Sequence, residues 1–314
     1  MIFAVDSWNP DYGTSVDGGE LEDAHDDVDC DVELPASQWR PLTPRPASVP
    51  DRVAFVDGVR RVDARVWITD GATARAGVCA SIAAGAVVAT RGSARLADAE
   101  VRRILVAPAQ AATADIATGH GTYVCTPSRS EAAEDLYHAI HSAMTGLEVD
   151  LVLDDVGTVV YDGPLRGRSD PRGVGFVKTH NVRYLPVELE TVQTGLAAGQ
   201  RTPLFLIGSR GFVRWSWYLR LVGPVTHPLA GIVRLELDGR GTTAERTADA
   251  DALSWMLQRF ASHPHKDSRA PQNLYPIAGL ERELRHRLGD RAVLERGLRR
   301  AATTGAEDPS PAGT

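Results

Sequence analysis

The stretch RVAFVDGVRRVDARVW, residues 52–67, decides how this chain folds. Val53, Ala54, Phe55 and Val56 are the residues that fill a strand buried on both faces. Asp57 and Gly58 end that strand, and a second one returns through Val62, Ala64, Val66 and Ile68. Asp-Gly is a common hairpin turn, which would account for the pair without any function. A carboxylate where a buried strand leaves the core is nevertheless costly to desolvate unless it is paired, hydrogen-bonded or bound to a cation. Other carboxylates must decide between the two readings.

Downstream, residues 77–90 give another apolar strand, and VRRILVAP (101–108) adds a further one to what reads as a meander. A helix is expected after Ser128 or Ser130, either of which can serve as its N-cap. Its stripe is Leu136, Ile140, Met144, Leu147 and Leu151, at spacings of four, four, three and four, although VDLVL at its end could be a strand. TVVYDGPL (158–165) is the next strand and ends in Asp162-Gly163-Pro164. A strand around Gly175–Val177, a helix in LPVELETVQTGLAAG and strands in TPLFLIG, WSWYLRL and AGIVRLEL follow. A short helix over 250–261 and a helical region from PIAGLERELRHRLGD close the pattern. Strands, a helix, further strands and terminal helices predict an α/β chain, a mixed sheet flanked by helices. No GxGxxG or GxxxxGK[ST] follows a strand, which argues against a Rossmann or P-loop nucleotide site.

The 314 residues, 43% hydrophobic and 24% charged, are those of an ordinary soluble protein. No run of eighteen apolar residues predicts a membrane span. The N-terminus lacks the basic and apolar regions of a signal peptide, and Cys30, Cys79 and Cys125 are isolated, so a reducing, cytoplasmic setting is expected. The formal charge of −7 is local: eleven Asp or Glu and no Lys or Arg stand in residues 1–35. That segment is expected to be solvated and mobile, with occupation of a basic groove as a phosphate mimic the alternative. Domain boundaries are accordingly placed at 1–50 for the acidic segment and proline-rich connector, 51–300 for the folded domain and 301–314 for a disordered tail.

Four carboxylates answer the opening question. Asp57 and Asp162 both end apolar strands and both precede glycine, which leaves room beside them. Glu148 falls on the helix stripe that faces the core, where a glutamate needs a reason, unless it snorkels from the stripe's edge. Glu281 borders the buried face built by Leu280, Leu284 and Leu288, and otherwise pairs with Arg285 at i+4 on the surface. Two strand aspartates, a helix glutamate and a late helix carboxylate can hold two divalent cations about 3.5–4 Å apart, as in-line phosphodiester cleavage requires. Such oxygen ligands suit magnesium or manganese. After Asp162, Arg166, Arg168, Arg172, Lys178 and Arg183 make a basic, glycine-rich stretch fitted to phosphates, with Lys178 placed to neutralise charge on the scissile one. HPHKD (263–267) is a weak zinc pattern, and Trp215, Trp217 and Tyr218 read as core in preference to a base-stacking platform.

Together, FVDGVRRVDARVW, YDGPLRGR, GFVKTHNVRYLP, QRTPLFLIG and HKDSRAPQNLYPIAGLERELRHRLGD, in this order over residues 50–300, resemble the NurA nuclease family in its actinobacterial form. The resemblance implies an RNase H-like core with extra C-terminal strands and helices. It also implies manganese-dependent (or magnesium-dependent) DNA cleavage, 5′–3′ exonuclease and single-strand endonuclease, in DNA end processing. By the same resemblance the partners are DNA and a HerA-type hexameric ATPase, and the working unit is a homodimer. Asp57 and Asp162 match the family's first and later aspartates, and Glu148 its helix glutamate, with Glu131 and Glu134 as fallbacks. Where the family has a histidine after a proline-containing turn, this chain offers Leu280 and Glu281, so Glu281 is the expected fourth ligand. The alternative is a DNA-end-binding or translocase-docking protein that keeps the fold without the catalysis.

Overall fold

The structure, a computed structural model, describes residues 2–5, 22–23, 27–48, 50–70, 72–111, 114–165, 168, 170–180, 182–209, 211–223, 228–263, 265–266 and 270–307. Its strands are β1 (Ile2–Val5), β2 (Glu22–Asp23), β3 (Asp27–Asp29), β4 (Val53–Asp70), β5 (Thr73–Ala89), β6 (Ala94–Pro108), β7 (Ile116–Thr118) and β8 (Gly121–Ser128). Helix α1 (Ala133–Val149) then leads to β9 (Thr158–Asp162), β10 (Gly173–Val177), β11 (Val182–Arg183) and α2 (Val187–Thr194). The chain continues through β12 (Phe205–Ser209), β13 (Phe212–Arg220), β14 (Ile232–Asp238), α3 (Thr243–Leu257), α4 (Tyr275–Arg287) and α5 (Arg291–Glu307).

One mixed sheet runs β3-β12-β13-β14-β10-β9-β4-β5-β6-β8-β7, with β1 also paired to β4. At its centre, β6, β5 and β4 form an antiparallel meander, and β9 and β10 are added parallel to β4 after the crossover through α1. That order and direction make an RNase H-like core. β14, β13 and β12 extend it antiparallel beyond β10, and β3 closes that edge.

Helices cover both faces, which is why the central strands are apolar throughout. From Val78 to Ala89 every residue of β5 is buried, and most are small. α1 seats Leu136, Ile140, Met144 and Leu147 on one face. α3 and α4 cover the other, where Met256, Leu257 and Ile277 meet Phe55, Phe176 and Trp217. Trp215, Trp217 and Tyr218 are core residues, as expected.

Several expectations need correction. Asp57-Gly58 is not a hairpin turn: β4 runs through it for eighteen residues and only bulges between Val62 and Ala64. An unbroken β5 paired along that length keeps β4 extended. The acidic segment is built into the fold where it is described, since β1 and β3 join the main sheet and β2 pairs with β11. In DVDCDV (27–32) the aspartates alternate with Val28, Cys30 and Val32, which pack inward, the pattern of a half-buried strand. Residues 6–21 and 24–26 lie outside the described residues. The tail expected from 301 is helical to Glu307, because Ala301 and Ala302 pack on the core beside Leu298. The N-cap of α1 is Ala132, with Ser130 bonded instead to Asp135, and Leu151–Asp154 is neither helix nor strand.

Candidate active site

β9 stops at Asp162, whereas β1 joins β4 only from Val66 onward. Between them, residues 57–65 of β4 have no strand on that side among the described residues, which leaves a notch in the sheet. Val56 pairs with Tyr161, so Asp57 and Asp162 occupy the next positions on adjacent parallel strands. The two-residue period of a strand points both, with Lys178 just past β10, toward the face that α4 covers.

Glu148 comes from α1 on the opposite face, and Gly58 gives it passage. A Cβ at Gly58 would lie 2.5 Å from Glu148 Oε1 and 2.8 Å from Met144 Cγ. Only a hydrogen fits. Gly58→Ala is therefore expected to lift α1 from the sheet and displace Glu148, at a cost of about 1–3 kcal/mol. Chemical denaturation would check this, and an unchanged midpoint would mean that α1 does not bear on this position.

The electrostatics tie the four carboxylates together. Asp57 is 8% exposed. Burial, and then the neighbouring Asp162, push its carboxyl well above the usual range; Lys178 opposes this, while Glu148 and Glu281 add to it. Burial also raises Glu148, against the pull of Arg168 and with a push from Asp162. Lys178 Nζ donates to Asp162 Oδ2 at 2.6 Å and to Asn273 Oδ1 at 3.1 Å. Arg168, 7% exposed, forms an ion pair with Glu148, donates to the Pro164 carbonyl and lies with its guanidinium 5.0 Å from the centre of the Tyr161 ring. Glu281 is paired with Arg285 at 2.8 Å, yet its side chain is only 15% exposed and its charge reaches Asp57. Glu281 therefore makes the i+4 pair that its surface reading expected, from a half-buried position whose charge bears on Asp57.

Among the described residues no three His, Cys, Asp or Glu side chains converge tightly enough to form a ready metal cage. Lys178 and Arg168 hold two of the carboxylates in this arrangement. The donors still suit a hard divalent cation: all are carboxylate oxygens, and among the described residues Asp57 accepts only the adjacent Gly58 N–H, at 2.8 Å. Burial first, and the repulsion of neighbouring carboxylates after it, raise Asp57, and a bound cation would relieve the second.

The fallback glutamates do not take part. Glu131 and Glu134 stand at the far end of α1, roughly 20 Å from Glu148 along its axis. The basic stretch also differs from expectation. Arg168 is buried on Glu148, and Arg172 clamps its own loop through Asp170 and the Leu153 and Val156 carbonyls. Arg183 pairs with Glu190 at 2.7 Å, and Arg166 lies outside the described residues. Carboxylates and carbonyls that the fold brings close outcompete solvent for these guanidinium groups. His263 and His265 stack on each other without forming a metal cluster, and Asp267 lies outside the described residues. Asn273, wholly buried beside Lys178, lies in one of the stretches that carry the resemblance, but no periodicity or spacing marks it out.

The fold of this chain is of the RNase H-like class, with Asp57 inside β4 and Asp162 at the end of the adjacent β9. Its structure is similar to that of the NurA nuclease from Sulfolobus solfataricus, at a TM-score of 0.50 and 11% identity over 88% of this chain and 89% of that one. At that identity the likeness is one of fold. The catalytic domain of human endonuclease V matches 79% of this chain and 85% of its own at 17% identity, but with a TM-score of 0.31, too low to compare the folds. No protein-family profile matches the sequence, and no curated protein does. No helix among the described residues is long and apolar enough to cross a membrane.

Proposed function

We propose that this protein is a divalent-metal-dependent DNA nuclease that hydrolyses phosphodiester bonds in DNA end processing. The observation that carries the reading is that Asp57 and Asp162 take neighbouring positions on adjacent strands at the notch of an RNase H-like sheet, within the electrostatic reach of Glu148 and Glu281 from two helices. These four would hold manganese or magnesium. Bound there, the metal would polarise the scissile phosphate and acidify an attacking water. Asp57 and Asp162 fix the position of the reacting phosphate from adjacent strands, and Gly58 lets Glu148 reach it. Lys178, held by Asp162 and Asn273, keeps a positive charge beside the phosphate as negative charge develops.

The resemblance of the sequence blocks to the NurA family suggests the finer proposals: 5′–3′ exonuclease or single-strand endonuclease action, a homodimer, a HerA-type hexameric ATPase as partner and a cytoplasmic site of work; the structural likeness supports the fold beneath them. A second reading, a DNA-end-binding or translocase-docking protein without catalysis, is favoured by one observation. Two of the four carboxylates already carry a side-chain cation. End-labelled single- and double-stranded DNA incubated with manganese, magnesium or EDTA separates the two. Manganese-dependent cleavage abolished by EDTA supports the nuclease; retention of DNA without cleavage supports the second reading.

Lys178→Ala is expected to weaken DNA binding equally across sequences and to reduce the slope of log affinity against log salt by about one, since a phosphate contact releases counterions without reading bases. Binding titrations at several salt concentrations measure this. An unchanged slope would confine Lys178 to its pairing with Asp162.

A further inference from the structure

We propose that the cavity between α2, β13 and the segment before β14 receives one unpaired nucleobase of a DNA single strand. The inference rests on the DNA reading above and is independent of any metal. The cavity has a volume of 240 Å³, with His180, Tyr184, Gln193 and Tyr218 among its walls. Sites for drug-sized ligands run to roughly 300–1,000 Å³, so this one has room for a single ring system.

Two buried polar groups point to a ligand. Gln193 is 8% exposed and Tyr218 3%, and both line the cavity. Among the described residues neither the Gln193 amide nor the Tyr218 hydroxyl has a hydrogen-bond partner. Buried polar groups are rarely left so, because the loss of water goes uncompensated. Burial pushes the Tyr218 hydroxyl up to about 12, so it stays a protonated donor at neutral pH. A glutamine amide sets a donor beside an acceptor, the match for a base edge that does the same. The aromatic walls supply the rest, since every base has a face that stacks on such rings. These rings are held in place: Tyr218 stacks with His180 and Phe205, and the Arg234 guanidinium lies 4.3 Å from the centre of the Tyr184 ring.

The cavity is also preformed. Arg220, 1% exposed, donates to the Thr194 carbonyl at 3.0 Å and the Leu196 carbonyl at 2.6 Å, at and just past the end of α2. It donates as well to the Pro228 carbonyl at 2.6 Å and to the Ala230 carbonyl. One guanidinium thus ties two walls together, and a ligand has little left to order. The position suits a strand held at the carboxylates. Val177 pairs with Arg234 and Arg234 with Tyr218, so Tyr218 stands level with the residue before Lys178, two strands and roughly 10 Å away. His180 follows Lys178 by two residues. A strand whose phosphate meets Lys178 therefore has a neighbouring base within reach of the cavity. A paired base must first be taken out of its stack, which costs free energy, so the cavity favours single strands.

The test measures binding of the full chain, in EDTA, to a short labelled single strand and to the same backbone carrying stable abasic residues throughout. The intact strand should bind at least about fivefold more tightly, the low end of what one stacked base contributes. Gln193→Leu and Tyr218→Phe keep the volume and remove the two polar groups. Each should weaken the intact strand by about threefold and leave the abasic strand unchanged. Neither substitution breaks a hydrogen bond among the described residues, so both proteins should fold. Equal binding of the two strands by the parent protein overturns the inference. So does parental binding of the intact strand by both variants, or an equal loss on both strands, which would mark a structural role. Competition by deoxyadenosine monophosphate, with the two strands bound alike, would assign the cavity to a free nucleotide and overturn the strand assignment. Manganese-dependent cleavage decides the nuclease reading separately.

Discussion

Asp57→Asn is expected to make the protein more stable while lowering DNA cleavage by at least about 100-fold, since losing a direct metal ligand should cost no less than the roughly 10–100-fold that losing an outer-sphere partner costs. The two effects share one cause. In the folded state burial and three like charges raise the Asp57 carboxyl above its unfolded value. Folding therefore disfavours the ionised form, and the penalty grows as pH rises above the ordinary carboxylate range, reaching its full size above the raised folded value. Asparagine keeps the shape and removes the charge. Thermal melts of both proteins from roughly pH 3 to pH 8 should start close together at the acid end, where the parent carboxyl is protonated folded and unfolded, and separate as pH rises. Coincident melts at every pH would remove Asp57 from a crowded carboxylate cluster, and undiminished cleavage would remove it from the chemistry.

Arg201→Met is expected to cost about 3–5 kcal/mol, the penalty for stranding buried charges by deleting their partner. Arg201, 2% exposed, makes a two-pronged pair with Glu33 at 2.8 and 2.9 Å and reaches Asp251 on α3 at 2.8 Å. Glu33 Oε2 also accepts the Leu204 N–H at 2.7 Å. One guanidinium therefore joins the acidic N-terminal segment to a helix, and Glu33 links the pair to Leu204 just before β12. Denaturant unfolding would give the loss, and adding Glu33→Gln should recover part of it, because the two side chains are in direct contact. A loss under about 1 kcal/mol, the range of exposed pairs, would show that the segment is not anchored here.

Much of the central layer was legible because strands and helices write their periods into sequence. The α1 stripe placed Glu148 on the buried side, and the apolar runs before Asp57 and Asp162 placed both aspartates on central strands. Leu280, Leu284 and Leu288 pack as read, and carry Glu281 with them. Continuity of β4 was not legible, since Asp-Gly looks the same in a turn and in a strand held straight by its neighbour. The N-terminal strands were hidden because eleven acidic residues dominate composition, while the alternation in DVDCDV spans only six positions. The fate of the arginines was illegible for another reason. A guanidinium takes whichever carboxylate the fold brings near, and Arg168 met Glu148 twenty residues away in sequence.

The break in strand pairing along β4 also sets how its backbone meets water. From Asp57 to Val62, each residue directs its N–H and C=O either to β5 or to the side where none of the described strands lies. Amide hydrogen exchange along this one strand should alternate, slow at groups bonded to β5 and fast at those facing the gap. A nucleic acid strand seated in the gap would slow the fast set and leave the other unchanged, so that binding can be followed in a protein whose cleavage has been disabled.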